Sequence, residues 1–124
     1  MEETKYDIDV EYGLIQERKI RDIFEKGSKI EVKAERSRWY NSGMIAIEVE
    51  CKGRPSGLSI TQADYWMHML MRGDKMQMTL LFSVPQLKEI VKRALRMPGT
   101  NIVYGGDNKA SKLILIPISA VLLA

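Results

Sequence analysis

Cysteine is almost missing from this 124-residue chain: Cys51 stands alone. One thiol cannot form an intramolecular disulfide, and it cannot build a cysteine-rich zinc site. A reducing cytosol suits such a chain best, the host cytoplasm if a phage encodes it. Histidine is equally scarce, with His68 the only one. A Ser-His-Asp triad would have to use it, yet it sits in the Met-rich run Trp66-Met-His-Met-Leu-Met, where it reads as a structural residue. Long apolar runs are absent too. The longest, beginning at Ile118, is far too short to span a bilayer, so no membrane partner is expected. The acidic, polar start Met-Glu-Glu-Thr-Lys does not resemble a signal peptide. No internal repeat, low-complexity segment or linker interrupts the chain.

What is present suits one domain over residues 1–124, with 45% apolar and 28% charged residues. The formal net charge is +3. That mild excess permits nucleic-acid binding without requiring it. Basic residues cluster at Arg36 and Arg38, at Lys52 and Arg54, from Lys88 to Arg96, and at Lys109 and Lys112.

Residues 30–35, Ile-Glu-Val-Lys-Ala-Glu, alternate as a strand. Ile30, Val32 and Ala34 are expected to face a core, leaving Glu31, Lys33 and Glu35 in a row on the other face. Ahead of them, residues 6–10 suggest a short strand or extended lead-in, and 12–26 a helix stopped by Gly27. On that helix Glu17 has Ile20, Phe24 and Leu14 within about 60° around the axis. A carboxylate in an apolar arc needs a partner such as a metal or a lysine.

Residues 37–43 read as a loop and 44–52 as the next strand, with Ile45, Ile47, Val49 and Cys51 on one face and Ala46, Glu48, Glu50 and Lys52 on the other. The short connection predicts an antiparallel hairpin, which sets Glu31, Lys33 and Glu35 beside Glu48, Glu50 and Lys52. Carboxylates that close repel one another unless a cation or lysine intervenes.

A turn-rich loop follows, in which Thr61 is expected to cap a short helical turn. A second hairpin is expected over 65–72 and 76–84, carrying Met67, Met69, Met71, Met76 and Met78. Such a stripe marks a core or a partner surface. An amphipathic helix follows over 85–96. Strands at 101–104 and 113–118 flank a glycine-rich turn. That turn lacks the following helix of a P-loop, and Lys109 and Lys112 are candidate phosphate contacts within it.

The order of a helix with Glu17, a strand with Glu31-Val-Lys33 and a strand with Glu48-Val-Glu50 is similar to the core of the PD-(D/E)xK nuclease superfamily. Ile-Glu-Val-Lys resembles the lysine-bearing strand of archaeal Holliday junction resolvases. Gly43-Met-Ile-Ala-Ile-Glu-Val-Glu, followed by Pro55-Ser-Gly-Leu-Ser-Ile-Thr-Gln-Ala-Asp-Tyr-Trp66, resembles small phage proteins assigned to the same superfamily. The resemblance covers roughly residues 12–84. It implies an α/β (α+β) fold with a restriction-endonuclease-like mixed sheet, antiparallel hairpins and flanking helices.

The implied activity is hydrolysis of DNA phosphodiester bonds by a divalent-metal-dependent endonuclease, with junction or branched DNA as the structure-selective substrate. Carried over residue by residue, Glu17, Glu31 and Glu48 would hold Mg²⁺ or Mn²⁺, and Lys33 would be the catalytic lysine. The chain departs from the family pattern: it has no Pro-Asp, and Glu50-Cys51-Lys52 is a second acid-x-Lys. Glu35, Glu50 and Lys52 are therefore alternates. Arg36, Arg38 and Arg54 are expected to hold the DNA backbone. Trp39 and Tyr40 either stack on an unpaired base or anchor their loop. A homodimer through the Met-rich hairpin or the apolar C-terminal tail would suit cleavage of two strands. A non-catalytic nucleic-acid-binding module and an interaction protein are the alternatives.

Overall fold

The computed structural model describes residues 4–36 and 38–123 of the chain. The chain opens with helix α1 (Lys5–Glu25) rather than an extended lead-in. A capping box starts it four residues into the chain: Thr4 Oγ1 accepts from Asp7 N at 3.1 Å, while the Thr4 N–H donates to the Asp7 carboxylate at 3.2 Å. This local signal outweighs the weak alternation of residues 6–10. The helix buries only Ile23.

Strand β1 (Ile30–Glu35) does not form the expected hairpin with β2 (Met44–Cys51). Between them stands a five-residue helix, α2 (Arg38–Ser42), where a loop is expected; Ser37, the first residue of that loop, lies outside the described residues. Instead β1 runs parallel to β4 (Tyr65–Arg72), which forms the expected antiparallel hairpin with β5 (Lys75–Ser83). This gives a three-stranded sheet in the order β1-β4-β5. The second sheet is antiparallel. It takes β2, the two-residue β3 (Arg54–Pro55), β6 (Asn101–Gly105) and β7 (Ser111–Pro117) in the order β3-β2-β7-β6. Helix α3 (Val84–Ala94) joins the sheets, and α4 (Ile118–Leu123) ends the described chain.

The fold is thus mixed α+β, as expected, with the seven strands of the described residues divided between two sheets. Its core lies between the sheets and the two later helices. Ile45 and Ile47 of β2, Ile114 and Ile116 of β7, and Trp66 and Leu70 of β4 meet Leu87, Ile90, Val91 and Ala94 of α3 and Ala120 and Val121 of α4. The spacing of the α3 residues is that of one helical face, and Ser83 caps the helix by accepting from Gln86 N. The apolar tail expected as a dimer contact is partly spent here, since α4 buries Ala120 and Val121 and exposes Leu122 and Leu123. Among the described residues no helix is long and apolar enough to cross a membrane.

The β2 face opposite Ile45 and Ile47 carries Ala46 and Glu48, paired with Leu115 and Leu113 of β7. This face is only half covered and looks toward β1.

Candidate functional site: a charged trough between the sheets

The charged row of β1 points the opposite way from the expectation. Glu31, Lys33 and Glu35 are half-buried, whereas Val32 and Ala34 are exposed. The register with β4 gives the reason. Glu31, Lys33 and Glu35 lie beside Trp66, His68 and Leu70, and paired residues share a face. Trp66, His68 and Leu70 are the buried positions of β4. The charges therefore line the inner face at the sheet edge, where they look across at Ala46 and Glu48.

Three cavities adjoin in series here, each sharing lining residues with the next. The first, about 370 Å³, is lined by Lys29, Glu31, Lys33, Gly57, Thr61 and Gln62, among others. The second, about 230 Å³, holds Lys33, Glu35, Glu48, Trp66 and His68. The third, about 860 Å³, is bordered by Glu35, Arg36, Arg38, Ala46, Tyr104 and Leu115. Lys33 belongs to the first two, while Glu35, Ala46 and Leu113 belong to the last two. The result is a trough with carboxylates along its floor and Arg36 and Arg38 exposed at one end.

Lys33 Nζ lies 3.5 Å from Glu31 Oε1 and 5.6 Å from the centre of the Trp66 ring. Both contacts favour a cation at that point. Glu35 is more firmly fixed. Its Oε1 accepts from the Ala46 N–H at 2.8 Å and lies 2.7 Å from His68 Nε2. The indole N–H of Trp66 meets His68 Nδ1 at 3.2 Å. An indole nitrogen can only donate, so Nδ1 accepts and Nε2 carries the proton given to Glu35. Trp66, His68 and Glu35 thus form a directional chain of hydrogen bonds from β4 to β1, and the Ala46 N–H bond to Glu35 ties β1 to β2 across the gap between the sheets. His68, 2% exposed, is structural as expected, with the added task of orienting Glu35.

Glu48 is held from the other side. Its Oε2 accepts from Ser56 Oγ at 3.0 Å. Ser56 is placed by the tight turn Lys52-Gly53, both residues with positive φ, and by its own N–H donating to Val49 O at 3.0 Å. Gly57 follows at φ 51°, pressed so close that a Cβ there would collide with the Glu48 carbonyl. The turn-rich segment after β2 is thus a clamp on Glu48. The string Pro-Ser-Gly was its sequence signal. Thr61 accepts from Ala63 N, and no helical turn follows over 62–65.

The remaining expected residues are dispersed. Glu17 is exposed on α1 and lines none of the three cavities. Glu50 lies beyond a bulge between Glu48 and Glu50, which breaks the alternation. Lys52 occupies the turn, and Arg54 is exposed on β3. Trp39 is not free to stack: it is buried and its indole N–H donates to the Met71 carbonyl at 2.8 Å. Tyr40 is exposed, with the Arg72 guanidinium 3.6 Å above its ring. Among the described residues no three His, Cys, Asp or Glu side chains converge closely enough to hold a metal ion. Glu31, Lys33, Glu35, Glu48, Arg36 and Arg38 are therefore the expected residues that the fold brings to one trough.

Compared with protein-family models, curated proteins and solved structures, the chain matches none.

Proposed function

We propose that the chain is a divalent-metal-dependent DNA endonuclease working in this trough, with branched DNA as the substrate class that its sequence resemblance suggests. The observation that carries the reading is Lys33, shared by the two cavities that contain Glu31 and Glu48. A lysine beside one carboxylate, in a cavity lined by a second, is an arrangement suited to hydrolysis.

Glu31 and Glu48 are the residues that would hold Mg²⁺ or Mn²⁺. The clamp of Ser56 and Gly57 fixes Glu48 in advance, and magnesium commonly takes only one or two carboxylates, completing its shell with water and substrate phosphate. Bound there, the ion supplies a polarised phosphate and an acidified water. Lys33 offsets charge developing on the attacked phosphate. Glu35, oriented by His68, offers an acceptor in the same basin. Arg36 and Arg38 bind the DNA backbone at the open end. The protein then acts in the cytoplasm, as a homodimer where two strands are cut.

Nicking of supercoiled plasmid in Mg²⁺ or Mn²⁺ tests this. Lys33→Ala is expected to lower the rate about 100-fold or more while leaving DNA binding within a few-fold. If the intact chain binds DNA and nicks it with neither metal, the non-catalytic module replaces the enzyme. The lack of a three-carboxylate cluster among the described residues is what keeps that second reading in view.

A further inference from the structure

The apolar floor of the largest cavity is the part of the trough that metal-assisted hydrolysis leaves unused. One face of the second sheet forms it: Met44 and Ala46 of β2, Leu113 and Leu115 of β7, and Val103 of β6. The pairing makes this floor continuous, with Ala46 beside Leu115 and Leu113 beside Val103. All five side chains are only half-buried, whereas the opposite face of β2 and β7 puts Ile45, Ile47, Ile114 and Ile116 in the core. The wall is the segment that leads out of β1 into α2. It contributes Glu35, Arg36, Arg38 and Ser42, with Arg38 and Ser42 four residues apart on one side of α2.

Size and charge narrow the occupant. At about 860 Å³ the cavity falls in the range of ligand pockets, about 300–1,000 Å³. That size suits one small molecule or one group of a larger one, whereas a packed helix, about 10–12 Å across, needs more room. The acid at the wall is already engaged, since Glu35 Oε1 meets the Ala46 N–H and His68. Among the described residues no carboxylate forms an ion pair with Arg36 or Arg38. An apolar floor below two guanidinium groups suits a flat ring that carries an anion. Phosphate is an anion that arginine holds with two N–H groups at once.

Continuity with the working centre selects among such ligands. Leu113 lines both this cavity and the one that holds Lys33 and Glu48. Glu48, Leu113 and Val103 stand in one row across β2, β7 and β6. Neighbouring strands lie about 4.8 Å apart, so Val103 is about 10 Å from Glu48 along that row. A nucleic-acid strand with one phosphate at Lys33 therefore carries its next bases over the apolar floor. A paired base offers a protein only its edge. An unpaired base leaves the stack and can lay its face on such a floor.

We propose that this cavity seats an unpaired base of the DNA substrate, its face on Val103, Leu113 and Leu115 and its flanking phosphates on Arg36 and Arg38. The inference rests on the nuclease reading and deepens it, because selection is then for an unpaired base beside the cut. Fluorescence anisotropy in Ca²⁺, which takes the same kind of oxygen ligands as Mg²⁺, compares three duplexes. One is fully paired, one carries a single unpaired adenine, and one has an abasic residue in place of that adenine. The duplex with the unpaired adenine is expected to bind about tenfold more tightly than either of the others. Val103→Asp sets a carboxylate on the floor and is expected to bring that preference close to one, with the circular dichroism spectrum unchanged. Deoxyadenosine monophosphate is expected to bind at least about 100-fold more weakly than the duplex with the unpaired adenine, because it lacks the flanking phosphates. Equal affinity for the adenine and abasic duplexes overturns the subsite and leaves the nuclease reading standing. So does a preference that survives Val103→Asp in a folded variant. The abasic comparison uses the unaltered chain, so it decides the matter whether or not Val103→Asp folds. The free nucleotide bound as tightly as the duplex also overturns the proposal, making the cavity a mononucleotide site. A chain that binds none of the duplexes overturns both readings.

Discussion

At the scale of single residues, the trough is set by side chains whose chemistry lies in what they accept or exclude. His68 accepts from one neighbour and donates to the other, so it links Trp66 to Glu35 in one direction only. His68→Leu preserves apolar bulk but leaves the indole N–H and much of the Glu35 carboxylate without partners. Each deprived group costs about 1–3 kcal/mol, so urea denaturation is expected to show a loss of about 2–4 kcal/mol. A loss below about 0.5 kcal/mol would mean that the chain of hydrogen bonds contributes nothing. Gly57 acts through a missing atom. Gly57→Ala sets a methyl group against the Glu48 carbonyl and forces alanine into a left-handed backbone conformation. About 2–4 kcal/mol of stability is expected to go. Nicking is expected to fall with it at temperatures where the variant is still folded, because Glu48 must shift. Unchanged melting would show that β2 moves aside freely.

Elements show where a linear sequence speaks for its fold and where it does not. Helix α3 and the β4–β5 hairpin were legible because their signals are local: the spacing of Leu87, Ile90, Val91 and Ala94, and the Gly73-Asp74 turn. The site strand β1 was legible as a strand, since alternation defines two faces. Which face turns inward was not legible. That choice comes from pairing Lys33 with His68, 35 residues further along, and nothing near Lys33 announces it. Burial of apolar side chains favours the face of Val32 and Ala34, whereas the edge position of β1 leaves Val32 outside and brings its charges in. The start of α1 is the converse case. Thr4 and Asp7 announce a helix locally, and the alternation of the next residues hid it. Here the structure predicts a pH effect. The Thr4 hydroxyl, and then its backbone N–H, donate to Asp7 and hold its carboxyl below the ordinary value of 3.8. A lowered carboxyl contributes stability that is complete above pH 3.8 and lost as the pH falls through the folded-state value. Far-UV circular dichroism is expected to show the N-terminal turn of α1 holding down to that pH and fraying below it. In Asp7→Asn the fraying is expected to lose this acid step; an identical acid profile would assign it to other carboxylates.

For the molecule as a whole, the question is how a chain with a net charge of only +3 would hold a polyanion while keeping carboxylates at its working centre. The division of the trough answers it. The acids Glu31, Glu35 and Glu48 lie half-buried along the floor, and the guanidinium groups of Arg36 and Arg38 stand exposed where the largest cavity opens. Backbone phosphates would meet the arginines first, with affinity coming from the release of condensed counterions rather than from the total charge of the chain. This makes salt dependence the discriminating measurement. Each phosphate contact contributes about 0.9 to the slope of log affinity against log salt for duplex DNA. The double change Arg36→Ala, Arg38→Ala is thus expected to flatten that slope by about 2 and to weaken binding to different sequences by a similar factor. The same change at Lys52 of the β2–β3 turn and Arg54 at the start of β3, both outside the three cavities, is expected to leave the slope nearly as it was. If instead the turn pair flattens the slope and the trough pair does not, the nucleic acid runs over the edge of the second sheet, and the charged floor between the sheets is not where it binds.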